Sequence, residues 1–369
     1  VRTLGIPMVI GGGAELAGRT VALDGGSGDL VPDPSPEVVA AFEARRAAAA
    51  ERAAAYAALK DRPAETRDGH RIEVFANVGS AADARAAREG GAEGVGLLRT
   101  EFVYLPFRET PSEDEQAELL AEVIAAAPAG PVVVRTLDVG ADKPLAFLPQ
   151  AAEANPFLGV RGVRLSFRHP EFFAASLRAI LRAGRKADLW IMFPMIADPD
   201  EMRRARAAVE AAHAELEARG VAHRWPVKIG MMVEVPAAAL TLDRFVPLAD
   251  FFSIGTNDLT QYVMAAERGN PAVAHLCDSL HPAVLRLIAR TCAAGAAAGI
   301  EVGMCGELAG AARATPLLLG LGLVELSLSA GLVAEVKEAV RGADLAACRA
   351  LAQKALACDT AGEVRALLG

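Results

Sequence analysis

Five short apolar runs in this sequence end in side chains that can grip an anion, chelate a cation or carry a proton. They are Leu98-Arg99-Thr100-Glu101, Arg135-Thr136-Leu137-Asp138, Val233-Glu234-Val235, Thr256-Asn257-Asp258 and Cys305-Gly306-Glu307. A guanidinium is a planar fork of donors that matches phosphate or carboxylate oxygens. Arg99 and Arg135, on neighbouring strand ends, would clamp one anion from two sides; the competing reading is an internal salt bridge to Glu101 or Asp138. Glu234 and Asp258 on adjacent strands would repel each other in a dry mouth unless a cation joins them. Hard oxygen donors of this kind favour Mg²⁺, completed by water and a substrate phosphate. Without a metal, one of the two becomes a general base or pairs with an arginine. Cys305, flanked by Gly303 and Gly306, reads as a thiol standing open at the same mouth and able to carry a proton, against the default of a small buried hydrophobe.

Those roles require elements that bring distant runs together. From residue 71 onward, short β-branched runs alternate with Ala-, Leu- and Arg-rich helical segments, the signature of parallel βα units. The candidate strands are 71–77, 93–98, 131–137, 160–166, 189–195, 228–234, 251–256, 301–306 and 324–329. Between 137 and 160 no helical period separates the third and fourth candidates, so they lack the crossover that parallel pairing needs. Placing 160–166 in a long loop leaves eight strands, which fit an α/β fold of the (β/α)8 TIM-barrel type with insertions; a doubly wound sheet is the alternative. TIM barrels build their sites at strand C-terminal ends, where the five polar runs fall.

Ahead of this pattern, residues 1–34 carry apolar runs at Gly5-Ile6-Pro7-Met8-Val9-Ile10 and Thr20-Val21-Ala22-Leu23, split by Gly11-Gly12-Gly13 and Gly25-Gly26-Ser27-Gly28. They read as strands and turns, too short to bury a core alone and so the remainder of a larger domain. Ser35 as N-cap and Pro36 in the first turn open a helix to about Lys60. The expected division is therefore a remnant at 1–34, a linker helix at 35–66 and the barrel at 67–369.

The chain has 369 residues with a net charge of −8. This acidity argues against a nucleic-acid binder, and the Ala- and Arg-rich runs at 40–58 and 202–212 read as solvated helix faces. Mean hydropathy is +0.27, yet charged residues interrupt every apolar run short of a membrane span, and no insertion is expected. Five cysteines without a CxxC pair suggest neither a disulfide framework nor a zinc site and fit a reducing cytoplasm. Cys277, Cys292, Cys348 and Cys358 read as packing or surface residues. The six histidines stand singly, with no metal-spaced pair on a helix, and default to surface or capping positions.

The run Asp250-Phe251-Phe252-Ser253-Ile254-Gly255-Thr256-Asn257-Asp258-Leu259-Thr260-Gln261-Tyr262, followed by Arg268, resembles the signature of phosphoenolpyruvate-utilising enzymes. Gly94 to Phe102, Val134 to Asp138, Asn155-Pro156-Phe157-Leu158-Gly159 and Gly303 to Leu308 are similar to that family in the same order. Within it, Arg135-Thr136-Leu137-Asp138-Val139-Gly140-Ala141-Asp142-Lys143 resembles the Enzyme I branch of the sugar phosphotransferase system more than the dikinases and synthases.

The resemblance runs the length of the chain. It implies a C-terminal barrel that binds phosphoenolpyruvate and Mg²⁺, forms a homodimer and passes the phosphoryl group to a histidine of a mobile N-terminal domain, releasing pyruvate. Arg99, Arg135 and Arg268 would hold the phosphate, helped by Asn257. Glu234 and Asp258 would hold the metal, and Cys305 would protonate the enolate, with Arg161 and Arg164 in support behind them. The acceptor histidine lies in a Thr-Ser-His segment that none of these histidines has. The chain thus reads as entered just after it, without the part that docks the small phosphocarrier protein. A dikinase-type barrel and a non-catalytic phosphoenolpyruvate-sensing module are the alternatives.

Overall fold

Eight short parallel strands follow one another from Glu73 to Ser329 and close on themselves. In the computed structural model, which describes residues 16–25, 28–140 and 145–369, the chain opens with an antiparallel pair, β1 (Val21–Asp24) and β2 (Asp29–Pro32), and the helix α1 (Pro36–Ala57). The barrel strands are β3 (Glu73–Val78), β4 (Val95–Arg99), β5 (Val132–Arg135), β6 (Leu189–Phe193), β7 (Lys228–Val233), β8 (Phe252–Ile254), β9 (Val302–Met304) and β10 (Glu325–Ser329). Neighbours in sequence pair in parallel and β10 pairs with β3, so the sheet has no edge and the doubly wound alternative falls away.

Strand parity divides the core in two. Leu97, Val133, Trp190, Met192, Met232, Phe251 and Cys305 form a cluster inside the barrel. Their sequence neighbours Leu98, Val132, Val134, Leu189, Ile191, Met231, Val233 and Met304 belong to the larger cluster between sheet and helices. Both faces of such a sheet are covered, which is why the strands read as continuous apolar runs rather than alternating ones. The surrounding helices are set by local signals. Ser112 and Glu115 form a reciprocal capping box on the helix Glu113–Ala126, and Asp198 with Glu201 do the same for Pro199–Ala218, which has Pro199 in its first turn.

The eight retained runs are the eight strands. The segment 160–166 is not a strand, but neither is it loop throughout: Val163–Arg168 is helical and leads into a second helix, Pro170–Ala183, so the crossover between β5 and β6 comes late. Gly162 makes that entry possible. Its φ is +58°, and a Cβ there would lie 2.9 Å from the Met195 side chain.

Compact units divide between Arg62 and Pro63. In the first, Ser35 caps α1 as expected, accepting from the Val38 N–H at 3.4 Å. The expected strand at 5–10, the turn at 11–13, Gly26-Ser27 of the turn at 25–28 and the Ala141-Asp142-Lys143 end of the Enzyme I-like motif lie outside the described residues. Among the described residues no helix is long and apolar enough to cross a membrane.

Candidate active site

Because successive strand residues face opposite sides, the residues two beyond Leu97, Val133 and Met232 continue the inward face, and these are Arg99, Arg135 and Glu234. Arg99 and Arg135 are directly paired in the β4–β5 register. Asp258 sits not at a strand end but in the first turn of the helix Thr256–Met264 that follows β8. At the C-terminal ends of the strands these elements surround a cavity of about 460 Å³ whose lining includes Arg99, Glu101, Arg135, Asp138, Arg161, Asn257, Asp258 and Arg268.

One string of opposite charges runs through it. Arg135 donates to Glu101 at 2.6 Å and lies 2.8 Å from Asp138. Arg161 reaches Asp138 at 3.1 Å and Asp258 at 3.3 Å, and Arg268 lies 3.7 Å from Asp258. The internal salt bridges weighed against anion binding are thus present for Arg135. Burial opposes its charge, but Asp138 and Glu101 outweigh it and hold the guanidinium firmly protonated; Arg161 is held the same way by Asp138 and Asp258. Arg99 differs. Among the described residues no carboxylate forms an ion pair with it, and burial together with the facing Arg135 lowers its affinity for its proton. Glu101 Oε2, Arg135 Nε and Arg161 Nε are buried with no hydrogen-bond partner, polar capacity concentrated at this mouth.

Glu234 is 1% exposed and accepts the Met195 N–H at 2.7 Å. It fits because Gly255 leaves room: a Cβ there would stand 2.8 Å from Glu234 Oε2. Burial, then the nearby Asp258 and Asp138, push its carboxyl well above the usual range, with Arg135 and Arg161 pulling only part of the way back. Asn257 lines the cavity and uses its amide oxygen to accept the Glu307 N–H at 3.0 Å.

Three expectations are corrected by this arrangement. Cys305 does not stand open: it is 3% exposed, packed in the inner cluster beneath the cavity with its Sγ 3.9 Å from the Ile254 carbonyl, and burial pushes its thiol up to about 12. Arg161 is not behind the site but on the cavity wall, while Arg164 turns away to Glu201 at 3.3 Å. Cys277, read as packing or surface, lines the cavity with its Sγ donating to the Ala266 carbonyl at 3.0 Å. Sequence reasoning gave no role to Tyr262, whose hydroxyl donates to the Phe157 carbonyl and meets Arg161 at 3.4 Å. The Asn155-Pro156 turn, which carries Phe157 to this contact, was its available signal.

The pattern of PEP-utilising enzymes, in their PEP-binding domain, matches residues 53–345. The chain belongs to this family. The PEP-utilising relatives include a phosphoenolpyruvate-protein phosphotransferase of Haloferax volcanii, 48% identical over 100% of this chain and 65% of that protein. A multiphosphoryl transfer protein of Rhodobacter capsulatus is 45% identical over 99% of this chain and 44% of its own length. A phosphoenolpyruvate-protein phosphotransferase of Staphylococcus carnosus is 42% identical over 98% of this chain and 64% of its own. The chain therefore spans less than two thirds of the length of each of these PEP-utilising proteins.

Proposed function

We propose that this barrel is the phosphoenolpyruvate-binding part of a phosphoenolpyruvate-protein phosphotransferase of the Enzyme I type. The observation that carries this reading is the register of Arg99 with Arg135, a cationic wall on the cavity that Asp258 also lines, with the buried Glu234 close to Asp258 and Arg135 behind that lining. Arg99 and Arg135 hold the phosphate, Arg268 and Asn257 close on it, and Arg161 orients Asp258.

Glu234 and Asp258 offer hard oxygen donors; burial first, and then the charge of Asp258, hold the Glu234 carboxyl high, and a divalent cation would relieve both, so the residues fit Mg²⁺. When bound, the ion supplies charge neutralisation on the phosphate and on the developing enolate. The chain's own part is positioning. The phosphorus–oxygen bond to the enol breaks as a histidine nitrogen of a separate domain takes the phosphoryl group. The enolate left behind takes a proton on carbon three; the donor this reading assigns is Cys305, buried in the inner cluster just beneath the cavity rather than open to it, whose high pKa keeps it a thiol at neutral pH. Residues 1–34 are then the remnant of the phosphohistidine domain, 35–66 the linker and 67–369 the barrel. The wider setting is a cytoplasmic homodimer that serves a small phosphocarrier protein.

Calorimetric titration with phosphoenolpyruvate should show binding that depends on Mg²⁺; metal-independent binding, or none, would remove the proposal. Adding a phosphohistidine domain in trans with labelled phosphoenolpyruvate should place label on its histidine. Binding without label would leave a sensing module instead. The Cys305→Ala variant should bind phosphoenolpyruvate unchanged and form pyruvate about 10²-fold more slowly in that reconstituted system, a typical loss for a proton donor. Unchanged turnover, with unchanged deuterium incorporation at carbon three in heavy water, would make Cys305 a packing residue.

A further inference from the structure

On the opposite face of the barrel, two histidines read as isolated in the sequence come together. The helix Pro199–Ala218 buries Met202, Ala205, Val209, Ala212 and Leu216, and His213 and Glu217, one turn apart, ride beside that stripe. Gly220, at φ +65°, reverses the chain and returns His223 against the helix before β7 begins at Lys228. His223 Nδ1 lies 2.7 Å from the Val221 carbonyl, which can only accept, so Nδ1 carries the hydrogen and Nε2 presents a lone pair. That lone pair faces His213 Nδ1 at 2.7 Å, with Glu217 Oε1 3.8 Å away. Trp225 stacks on the His213 ring at 4.1 Å, fixing its plane. The three donor atoms lie within 4.8 Å of one another.

We propose that His213 Nδ1, His223 Nε2 and the Glu217 carboxylate form a binding site for a divalent first-row transition ion of the Zn²⁺ class, with water as fourth ligand. Tetrahedral ligands about 2.0 Å from zinc stand about 3.3 Å apart, between the two separations found here. A backbone carbonyl holding the second ring nitrogen is the arrangement that orients a metal-ligating imidazole. Two imidazoles also select against Mg²⁺, which prefers oxygen throughout. The His223 side chain is 3% exposed and that of Glu217 67%, so the ion enters from the carboxylate side. As the ion replaces the hydrogen bond, the His213 ring shifts its hydrogen through solvent from Nδ1 to Nε2, leaving a neutral imidazole whose Nδ1 lone pair meets the metal. Placed at the N-terminal face, where barrels carry stability rather than catalysis, the ion fastens the helix to the segment entering β7.

Zn²⁺ titration of the full chain by calorimetry, in excess Mg²⁺, should give one equivalent and a higher melting temperature. Glu217→Ala, which alters an exposed side chain and leaves the fold intact, should weaken binding at least tenfold, and His223→Gln should abolish it. Glu234→Gln at the mouth should leave Zn²⁺ affinity unchanged. In a Trp190→Phe background, Ni²⁺ should quench the fluorescence of Trp225. Absence of Zn²⁺ binding, equal affinity in Glu217→Ala, or loss of the site in Glu234→Gln would each overturn the proposal.

Discussion

Replacing Arg135 by Met should lower phosphoenolpyruvate-dependent transfer by about 10²–10³-fold, the usual loss when one preorganised donor to a developing anion is removed. It should also destabilise the fold, unlike the same change at Arg99. Arg135 is 7% exposed and compensates Glu101 at 2.6 Å and Asp138 at 2.8 Å. Removing it strands the buried Glu101 and leaves Asp138 to Arg161 alone, and breaking a buried pair costs about 3–5 kcal/mol. Arg99 pairs with no carboxylate among the described residues and is repelled by Arg135. Arg99→Met should therefore weaken phosphoenolpyruvate binding to a similar degree while changing stability by less than about 1 kcal/mol. Chemical denaturation and calorimetric titration of both variants separate the two effects. Undiminished affinity in both would place the anion elsewhere.

Glu234→Gln should abolish the Mg²⁺ requirement together with activity and flatten part of the pH dependence of stability. Burial and the neighbouring Asp258 and Asp138 raise the Glu234 carboxyl from 4.5 to about 8 in the folded chain. Between those values the native state holds a proton that the unfolded state has released, so the contribution is present below about pH 4.5 and lost as pH rises through the folded value. Metal-free wild-type protein should thus lose stability across that window by an amount on the order of a few kcal/mol more than the Gln variant. Mg²⁺ should restore it at pH 8 and have little effect at pH 5, and the variant should show no such rescue. Parallel pH profiles for the two proteins in thermal melts would show that Glu234 ionises freely.

Much of this was readable before any coordinates. The β-branched runs fixed all eight barrel strands, and the polar residues at their ends converge because parallel strands in a closed sheet all point one way. The strand limits were less legible. β8 and β9 are three residues each, shorter than the runs at 251–256 and 301–306, because Thr256 already begins a helix and Gly306 packs against it. A Cβ at Gly306 would stand 1.9 Å from Thr256 Oγ1.

Arg161 was underestimated because the stretch before it has no period to reveal which way it folds; only the Gly162 turn aims it at Asp258. The depth of Cys305 was equally hidden. Flanking glycines say that space exists beside a residue, not which layer of a barrel it occupies. His213 and His223 escaped notice because one sits on a helix and the other on the return loop, a pairing that depends on Gly220 rather than on helical spacing.

The alternating charges from Glu101 through Arg135, Asp138, Arg161 and Asp258 to Arg268 have a consequence for tempo. A polyanion arriving here cannot merely add its bonds; it must evict carboxylates from guanidiniums that already hold them. What it gains is the difference between two sets of contacts, and the displaced carboxylates stand ready to reclaim their places as product departs. Such a pocket is built for exchange rather than for capture, with Arg99 as the first unengaged hand a ligand meets.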